Sequence, residues 1–167
     1  MGPIKLDTLF LDRDGVINKK LEGRYVRTWE EFEFTQNALL AIKLLSKKFR
    51  RILIITNQQG IGKGIMSAED LEILHQKMRL EIEKAEGKID KIYHCPHLEE
   101  ENCFCRKPQI GMIKQAKKDF PSIEIKNSYL LGDSPSDIQA GVAAGLIAKK
   151  VDNVFTLYDW SQQIMTY

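Results

Sequence analysis

The chain predicts an α/β fold, a three-layer Rossmann-like sandwich with a parallel sheet of about five strands and no separate cap domain. Three observations predict it. Apolar runs of strand length alternate with amphipathic stretches of helical length from Leu6 to Val151, the pattern of a parallel sheet covered on both faces. Three of the runs stop abruptly in polar groups, at Asp12, Thr56 and Asp133, as strands do at the carboxyl edge where open α/β sheets bind ligands. Finally, only about two dozen residues lie between the first strand and the first helix, enough for a flap but not for a lid domain. One domain spanning 1–167 follows.

The elements justify themselves in order. Leu6 to Leu11 is a buried strand. Asn37 to Phe49 sets Leu39, Ile42, Leu45 and Phe49 on one helical face. Arg51 to Thr56, rich in isoleucine, is a second strand. Ser67 caps a long helix, with Asp70 as the shorter-armed acid of a capping box and Leu71, Leu74, Met78, Ile82 and Ala85 as its apolar stripe. Lys91 to His94 is a short third strand. Ile110 to Phe120 is helical and stops at Pro121. Ser128 to Leu131 is a fourth strand, Pro135 to Ala144 a helix closed by Gly145, and Ile147 to Val151 a fifth strand. Beyond it, Phe155, Leu157, Tyr158, Trp160 and Ile164 carry too much apolar surface to hang free, so the tail should pack on the body.

Composition narrows the class. A chain of 167 residues buries roughly two thirds of its unfolded surface. With 43% hydrophobic and 29% charged residues it reads as an ordinary soluble globular protein. No apolar run approaches the ~20 residues that span a bilayer, so no membrane partner is expected. Met1-Gly2-Pro3-Ile4-Lys5 has no apolar core of secretory type, which predicts a cytoplasmic location. A net charge of +2, without a basic stripe carrying interleaved aromatics, argues against a nucleic-acid partner. A monomer acting on a small molecule is expected. All three cysteines, Cys95, Cys103 and Cys105, fall within eleven residues. An odd count so clustered argues against a disulfide framework and towards metal binding in a reducing compartment.

The chemistry begins at Leu9-Phe10-Leu11-Asp12-Arg13-Asp14-Gly15. A buried strand ending on Asp-x-Asp-Gly puts two carboxylates on the same side of an extended segment, although the motif alone also suits calcium loops and plain turns. Downstream follow Ile54-Ile55-Thr56-Asn57, then Arg106-Lys107-Pro108, then Leu130-Leu131-Gly132-Asp133 with Asp137 four residues on. Four such motifs, in this order, resemble those of the haloacid dehalogenase superfamily of aspartate-nucleophile phosphatases, over roughly Thr8 to Val151.

That resemblance implies a Mg²⁺-dependent hydrolysis of phosphate monoesters through an aspartyl-phosphate. Asp12 is the expected nucleophile and Asp14 the acid/base residue. For that role Asp14 should be protonated when substrate binds, with nearby negative charge raising its pKa. Asp12, Asp133 and the backbone carbonyl of Asp14 would hold Mg²⁺, with Asp137 behind them orienting Lys107 or water. Thr56 and Asn57 would offer a hydroxyl and an amide to phosphoryl oxygens, and Lys107 a compact positive charge. Each has a plainer reading: Asp14 as a turn residue, Thr56 as a strand cap, Arg106 as a surface cation, Asp133 as the N-cap of the next helix.

Gly60, Gly62 and Gly64 invite comparison with nucleotide loops, but no Ser or Thr follows Lys63 as a P-loop requires. They are expected to permit a tight turn before Ser67. Cys95, His97, Cys103 and Cys105 form a set suited to tetrahedral, structural Zn²⁺, in a loop (about 95–105) that runs directly into Arg106 and Lys107. His94 is a competing ligand, and His75, mid-helix, reads as a surface or core histidine.

This loop resembles the superfamily's zinc-loop subgroup, which includes phosphatases of heptose bisphosphate and of histidinol phosphate. Tyr25-Val26 with Phe32-Glu33-Phe34, Gln58 with Gly60-Ile61, and Gly111-Met112 after Arg106-Lys107-Pro108 look like the heptose branch. The resemblance therefore implies carbohydrate metabolism and hydrolysis of D-glycero-D-manno-heptose 1,7-bisphosphate at the 7-phosphate, with Tyr25, Asn57, Arg106 and Lys107 meeting substrate. The short spacer between His97 and Cys103 looks instead like the histidinol branch, and Ser134 stands where a Lys is common. Other sugar or nucleotide phosphates, or a zinc-stabilised module without catalysis, are the alternatives.

Overall fold

The structure, a computed structural model, describes residues 5–167; residues 1–4, most of the stretch read above for a secretory signal, lie outside the described residues. Five strands, β1 (Leu6–Leu11), β2 (Phe49–Asn57), β3 (Lys91–Cys95), β4 (Tyr129–Gly132) and β5 (Ile147–Lys150), form one sheet in the order β3-β2-β1-β4-β5. Every pairing is parallel. Among the described residues five α-helices cover it: α1 (Ala38–Lys48), α2 (Ala68–Lys84), α3 (Gly111–Asp119), α4 (Pro135–Ala144) and α5 (Leu157–Ile164). The expected three-layer sandwich is the observed one.

The period of two along β1 divides the core. Leu9 and Leu11 pack with Ile42 and Leu45 of α1, Leu74 and Met78 of α2, and Trp160 of α5. Phe10 points the other way, into a cluster with Ile113 of α3 and Ala140 of α4. The tail thus packs as expected, as a helix capped by Thr156 and Asp159.

Phe49 differs from expectation. It begins β2, in register with Leu6, rather than closing α1. Its ring is fully buried against Tyr129 and Trp160. Burying it contributes ~1.5–3 kcal/mol relative to exposure, which outweighs one more residue of helix. At the other end, Asn37 takes a left-handed conformation (φ 58), so Ala38 and Ala41 share the inner face of α1 with Ile42 and Leu45, while Leu39 is only partly buried.

Residues between β1 and α1 make the flap. A cluster of Trp29, Phe32 and Phe34 anchors it, with ring centroids of 5.0 Å and 4.9 Å for the Trp29–Phe32 and Phe32–Phe34 pairs. Among the described residues no helix is long and apolar enough to cross a membrane.

Candidate active site

Because β1 lies between β2 and β4, the carboxyl ends of all three strands meet at one edge, and Asp12, Asn57 and Asp133 line one cavity of about 250 Å³ there. Gly15 makes the turn after Asp12 possible. Its φ is 86°, and a Cβ there would come within 2.2 Å of Asp133 Oδ2. Only glycine meets both demands. The chain then folds back so that Gly15 N–H donates to Asn18 O (2.8 Å).

Asp12 and Lys107 form the floor. Lys107 is 3% exposed. Its ammonium donates to Asp12 Oδ1 (2.9 Å) and Ile55 O (2.8 Å), and pairs with Asp137 Oδ1 (2.6 Å). Burial alone would lower its pKa, but the two carboxylates outweigh that and raise it. Burial also raises Asp137, and the charge and hydrogen bond of Lys107, with bonds from Ser134, more than reverse that. Asp12 goes the other way: burial dominates and, with Asp137 and Asp14 nearby, pushes it up to about 8 despite Lys107. One ammonium does not neutralise this many buried acids.

Oxygen donors of Asp12, Asp133 and Asp137 lie within 4.8 Å of one another, and Asp133 Oδ1 is buried without a hydrogen-bond partner. An orphaned carboxylate oxygen beside an under-neutralised cluster fits a hard divalent cation such as Mg²⁺. The carboxylate of Asp14 lies outside that group. Asp133 does not cap α4; Ser134 is the N-cap, and its N–H and Oγ both donate to Asp137 Oδ2 (3.1 and 2.8 Å). From the flap, Lys20 reaches Asp133 Oδ2 (3.1 Å).

Asp14 contradicts the expected direction of its pKa. Burial would raise it, yet the positive charge of Arg13 and hydrogen bonds from Arg13, Asn18 and Gln58 hold it below the usual carboxylate value. Arg13 Nη2 (2.7 Å) and Asn18 Nδ2 (2.9 Å) donate to Oδ1, and Gln58 Nε2 (2.9 Å) donates to Oδ2. The charge of Arg13 and these three donors stabilise the ionised form more than burial opposes it. A phosphate dianion brought alongside acts in the opposite sense.

Other expected contacts are placed differently. Thr56 is fully buried outside the cavity lining, and its hydroxyl accepts from Gln58 Nε2 (2.9 Å). Asn57 lines the cavity, but its amide brackets the Lys107 backbone: Oδ1 accepts from Lys107 N–H (3.0 Å) and Nδ2 donates to Lys107 O (3.2 Å). Tyr25 stands at the mouth, its hydroxyl accepting from Gln59 (2.8 Å), with Lys63 Nζ 5.2 Å from its ring centroid. Arg106 also lines the cavity, and its Nη1 is buried without a partner. Arg13, Asn18 and Gln58 were not singled out as site residues from sequence. Strand alternation gave a signal for Arg13, since Asp12 and Asp14 facing outward turn it inward.

The second metal-like cluster sits beside the first. Cys95, His97, Cys103 and Cys105 bring their donor atoms within 4.8 Å of one another. Cys95 Sγ lies 3.4 Å from His97 Nδ1 and 3.5 Å from Cys103 Sγ. Tetrahedral bonds of ~2.0–2.3 Å set donors about 3.5–3.8 Å apart. Those two separations lie near that spacing, whereas Cys105 Sγ sits closer, 3.2 Å from His97 Nδ1 and 2.7 Å from Cys95 Sγ, and would move outward around an ion. Three thiols and one imidazole are a donor set suited to Zn²⁺. His94 stays outside it, exposed on β3. Arg106 N–H donates to Cys103 Sγ (3.3 Å), tying the cluster to the next two residues of the site. The glycine segment turns as expected: Gly64 is left-handed (φ 72), and Gly62 N–H meets Pro96 O (3.0 Å), where a Cβ would come within 2.6 Å.

Known proteins resemble this chain in sequence and in fold. Residues 8–160 match the family described as polynucleotide kinase 3 phosphatase. The D-glycero-alpha-D-manno-heptose-1,7-bisphosphate 7-phosphatase of Photorhabdus laumondii is 42% identical over 149 residues, 85% of this chain and 80% of that one. The protein of the same name from Campylobacter jejuni is 43% identical over 143 residues, 86% and 80% of the two chains. A crystal structure of D,D-heptose 1,7-bisphosphate phosphatase from B. bronchiseptica, complexed with magnesium and phosphate, is 25% identical with a TM-score of 0.87, covering 98% of this chain and 99% of that one. On fold, motif order and relatives alike, the chain belongs to the haloacid dehalogenase superfamily of phosphatases, within the polynucleotide kinase 3 phosphatase family.

Proposed function

We propose that the chain is a Mg²⁺-dependent phosphomonoesterase whose substrate is D-glycero-D-manno-heptose 1,7-bisphosphate, hydrolysed at the 7-phosphate. The observation that carries the reaction is the buried Asp12–Lys107 pair, 2.9 Å apart, beside the orphaned Asp133 Oδ1. The names of the relatives carry the substrate.

A phosphate dianion repels nucleophiles, so the site must position groups and neutralise charge. Asp12 attacks phosphorus; the bond to the leaving oxygen breaks, and that oxygen takes a proton from Asp14. Water then attacks the aspartyl-phosphate, its proton passes to Asp14, and inorganic phosphate leaves with Asp12 restored. Lys107 faces the equatorial oxygens, braced from behind by Asp137 and Asn57. Asp12 and Asp133 would hold Mg²⁺, which when bound would supply the remaining positive charge at the phosphoryl oxygens. Cys95, His97, Cys103 and Cys105 would hold Zn²⁺ in a structural role, ordering the loop that presents Arg106 and Lys107.

A phosphate-release screen over both anomers of the heptose bisphosphate, histidinol phosphate, nucleotides and a 3′-phosphorylated oligonucleotide tests the substrate. The heptose bisphosphate should give the highest kcat/KM; preference for any other member of the panel overturns the assignment.

Two further outcomes are expected here. Mild chelation should abolish activity, and added Mg²⁺ should restore it, while about one equivalent of zinc per chain stays bound, as a closed Cys₃His site predicts. Elemental analysis finding no zinc rules the second ion out. Cys103→Ser should lower activity indirectly, through the Arg106 backbone contact.

Arg106 offers a buried, unpartnered Nη1 to the cavity, suited to a second phosphate or to sugar hydroxyls. Arg106→Ala should cost ~1–3 kcal/mol in kcat/KM for the bisphosphate, the range for a charged hydrogen bond. A simple aryl phosphate should lose much less. Equal losses on the two substrates would remove Arg106 as a selector.

A further inference from the structure

His75 lies on the inner face of α2 with Leu71, Leu74, Met78 and Ile82, 5% exposed. Unlike its neighbours on that face it makes a polar contact, with the Arg13 guanidinium, 62 residues away in sequence. Arg13 is fully buried, and three of its nitrogens have partners: Nε donates to Asn18 Oδ1 (3.2 Å), Nη2 to Asp14 Oδ1 (2.7 Å), and Nη1 lies 3.1 Å from His75 Nε2.

The chemistry of arginine settles the direction of that last bond. A guanidinium only donates and stays protonated, so Nε2 accepts and the imidazole is neutral with its proton on Nδ1. Burial first, and the charge of Arg13 next, push His75 down to about 3, in keeping with a neutral ring. The imidazole therefore closes a chain running from α2 through Arg13 to the carboxylate of Asp14. Without an acceptor at this point, Nη1 would be left unsatisfied in a buried site, a penalty that favours rotation of the guanidinium. Asp14 Oδ1 would then lose the shorter of its two hydrogen bonds.

We propose that His75 is a positioning residue for proton transfer at Asp14, acting through Arg13; this rests on the reading of Asp14 as the acid/base residue. His75 touches neither substrate nor the reacting atoms. Its effect is to fix the direction in which Asp14 presents its proton.

The test uses the Mg²⁺-loaded enzyme and two substrates, 4-nitrophenyl phosphate, whose phenolate leaves without help, and an alkyl phosphate, whose alkoxide needs a proton. The readout is the rate of alcohol or phenol release in a single turnover, which isolates transfer to the enzyme from later attack by water. A glutamine amide oxygen can take the place of Nε2, whereas the shorter asparagine falls short. His75→Asn should slow the alkyl ester on the order of tenfold, part of the 10²–10⁴ a positioned proton-transfer group contributes. The aryl ester should change less than about twofold, and His75→Gln should recover most of the loss.

Equal slowing of both esters by His75→Asn, no slowing of either, or no recovery with His75→Gln overturns the proposal. Should His75→Asn fold poorly, the same pair of substrates with His75→Gln and with Arg13→Lys, which keeps a charge but lacks the planar fork that spans from Asp14 to His75, applies the same criterion. Asp14→Asn separates the two possible failures. If it slows both esters alike, the reading of Asp14 falls and the proposal with it. If it slows the alkyl ester alone while His75→Asn does not, only the part given to His75 falls.

Discussion

Asp12→Asn is expected to lower kcat by several orders of magnitude while leaving the fold intact. The substitution keeps the volume and one hydrogen-bond acceptor but removes the attacking carboxylate, and with it the covalent half-reaction. Stability should barely move. Burial already disfavours the charge on Asp12, and Lys107 keeps Asp137 at 2.6 Å. The melting temperature, measured after chelation, should stay within a few degrees of the parent, since 1 kcal/mol shifts a domain of this size by about 2–4 °C. Turnover within tenfold of the parent would rule out Asp12 as the nucleophile. A collapse in melting temperature would mean that lost activity reports lost structure.

Lys107→Met should be the more damaging change, because it removes catalysis and stability together. The ammonium is the cation between two buried carboxylates and also satisfies Ile55 O. Removing one partner of a buried ion pair typically costs 3–5 kcal/mol, most of it from the charge left behind. A similar cost is expected in the denaturation midpoint of the metal-free protein, together with activity below detection. Adding Asp137→Asn to Lys107→Met should recover part of the stability and none of the activity, since it removes one stranded carboxylate without replacing the cation. If Lys107→Met is as stable as the parent, the pair contributes nothing to the fold and its geometry serves catalysis alone.

What could be read from sequence, and what could not, follows from where the partners of each group come from. The five strands and the α2 capping box were legible because they rest on local periodicity and a three-residue spacing. The two candidate metal clusters were legible because their ligand types repeat at short range or end neighbouring strands. Phe49 was misplaced because its burial depends on Tyr129 and Trp160, far along the chain. The direction of the Asp14 pKa shift was misread for the same reason. Its acidic neighbours are visible in the motif, but Gln58 stands 44 residues away, and no local pattern sets it against this carboxylate. Asn57 was read as facing substrate because its place at the end of β2 could be inferred and its bonds to the Lys107 backbone could not.

The central place of β1 has a consequence for how the molecule can change over evolutionary time. Asp12 stands at the end of a strand paired on both sides, with Leu9, Phe10 and Leu11 wholly buried. Such a segment opens only when the whole domain opens, so the nucleophile draws on the full cooperative stability of the fold. The rim, with Lys20, Arg24 and Tyr25 on the flap, belongs to irregular chain that opens at far lower free energy. Substitutions there can retune which phosphorylated compound is admitted at little cost to folding. Reaction and selectivity thus sit in parts of the molecule with different tolerance to mutation, which lets lineages diverge in substrate while the hydrolytic step is retained.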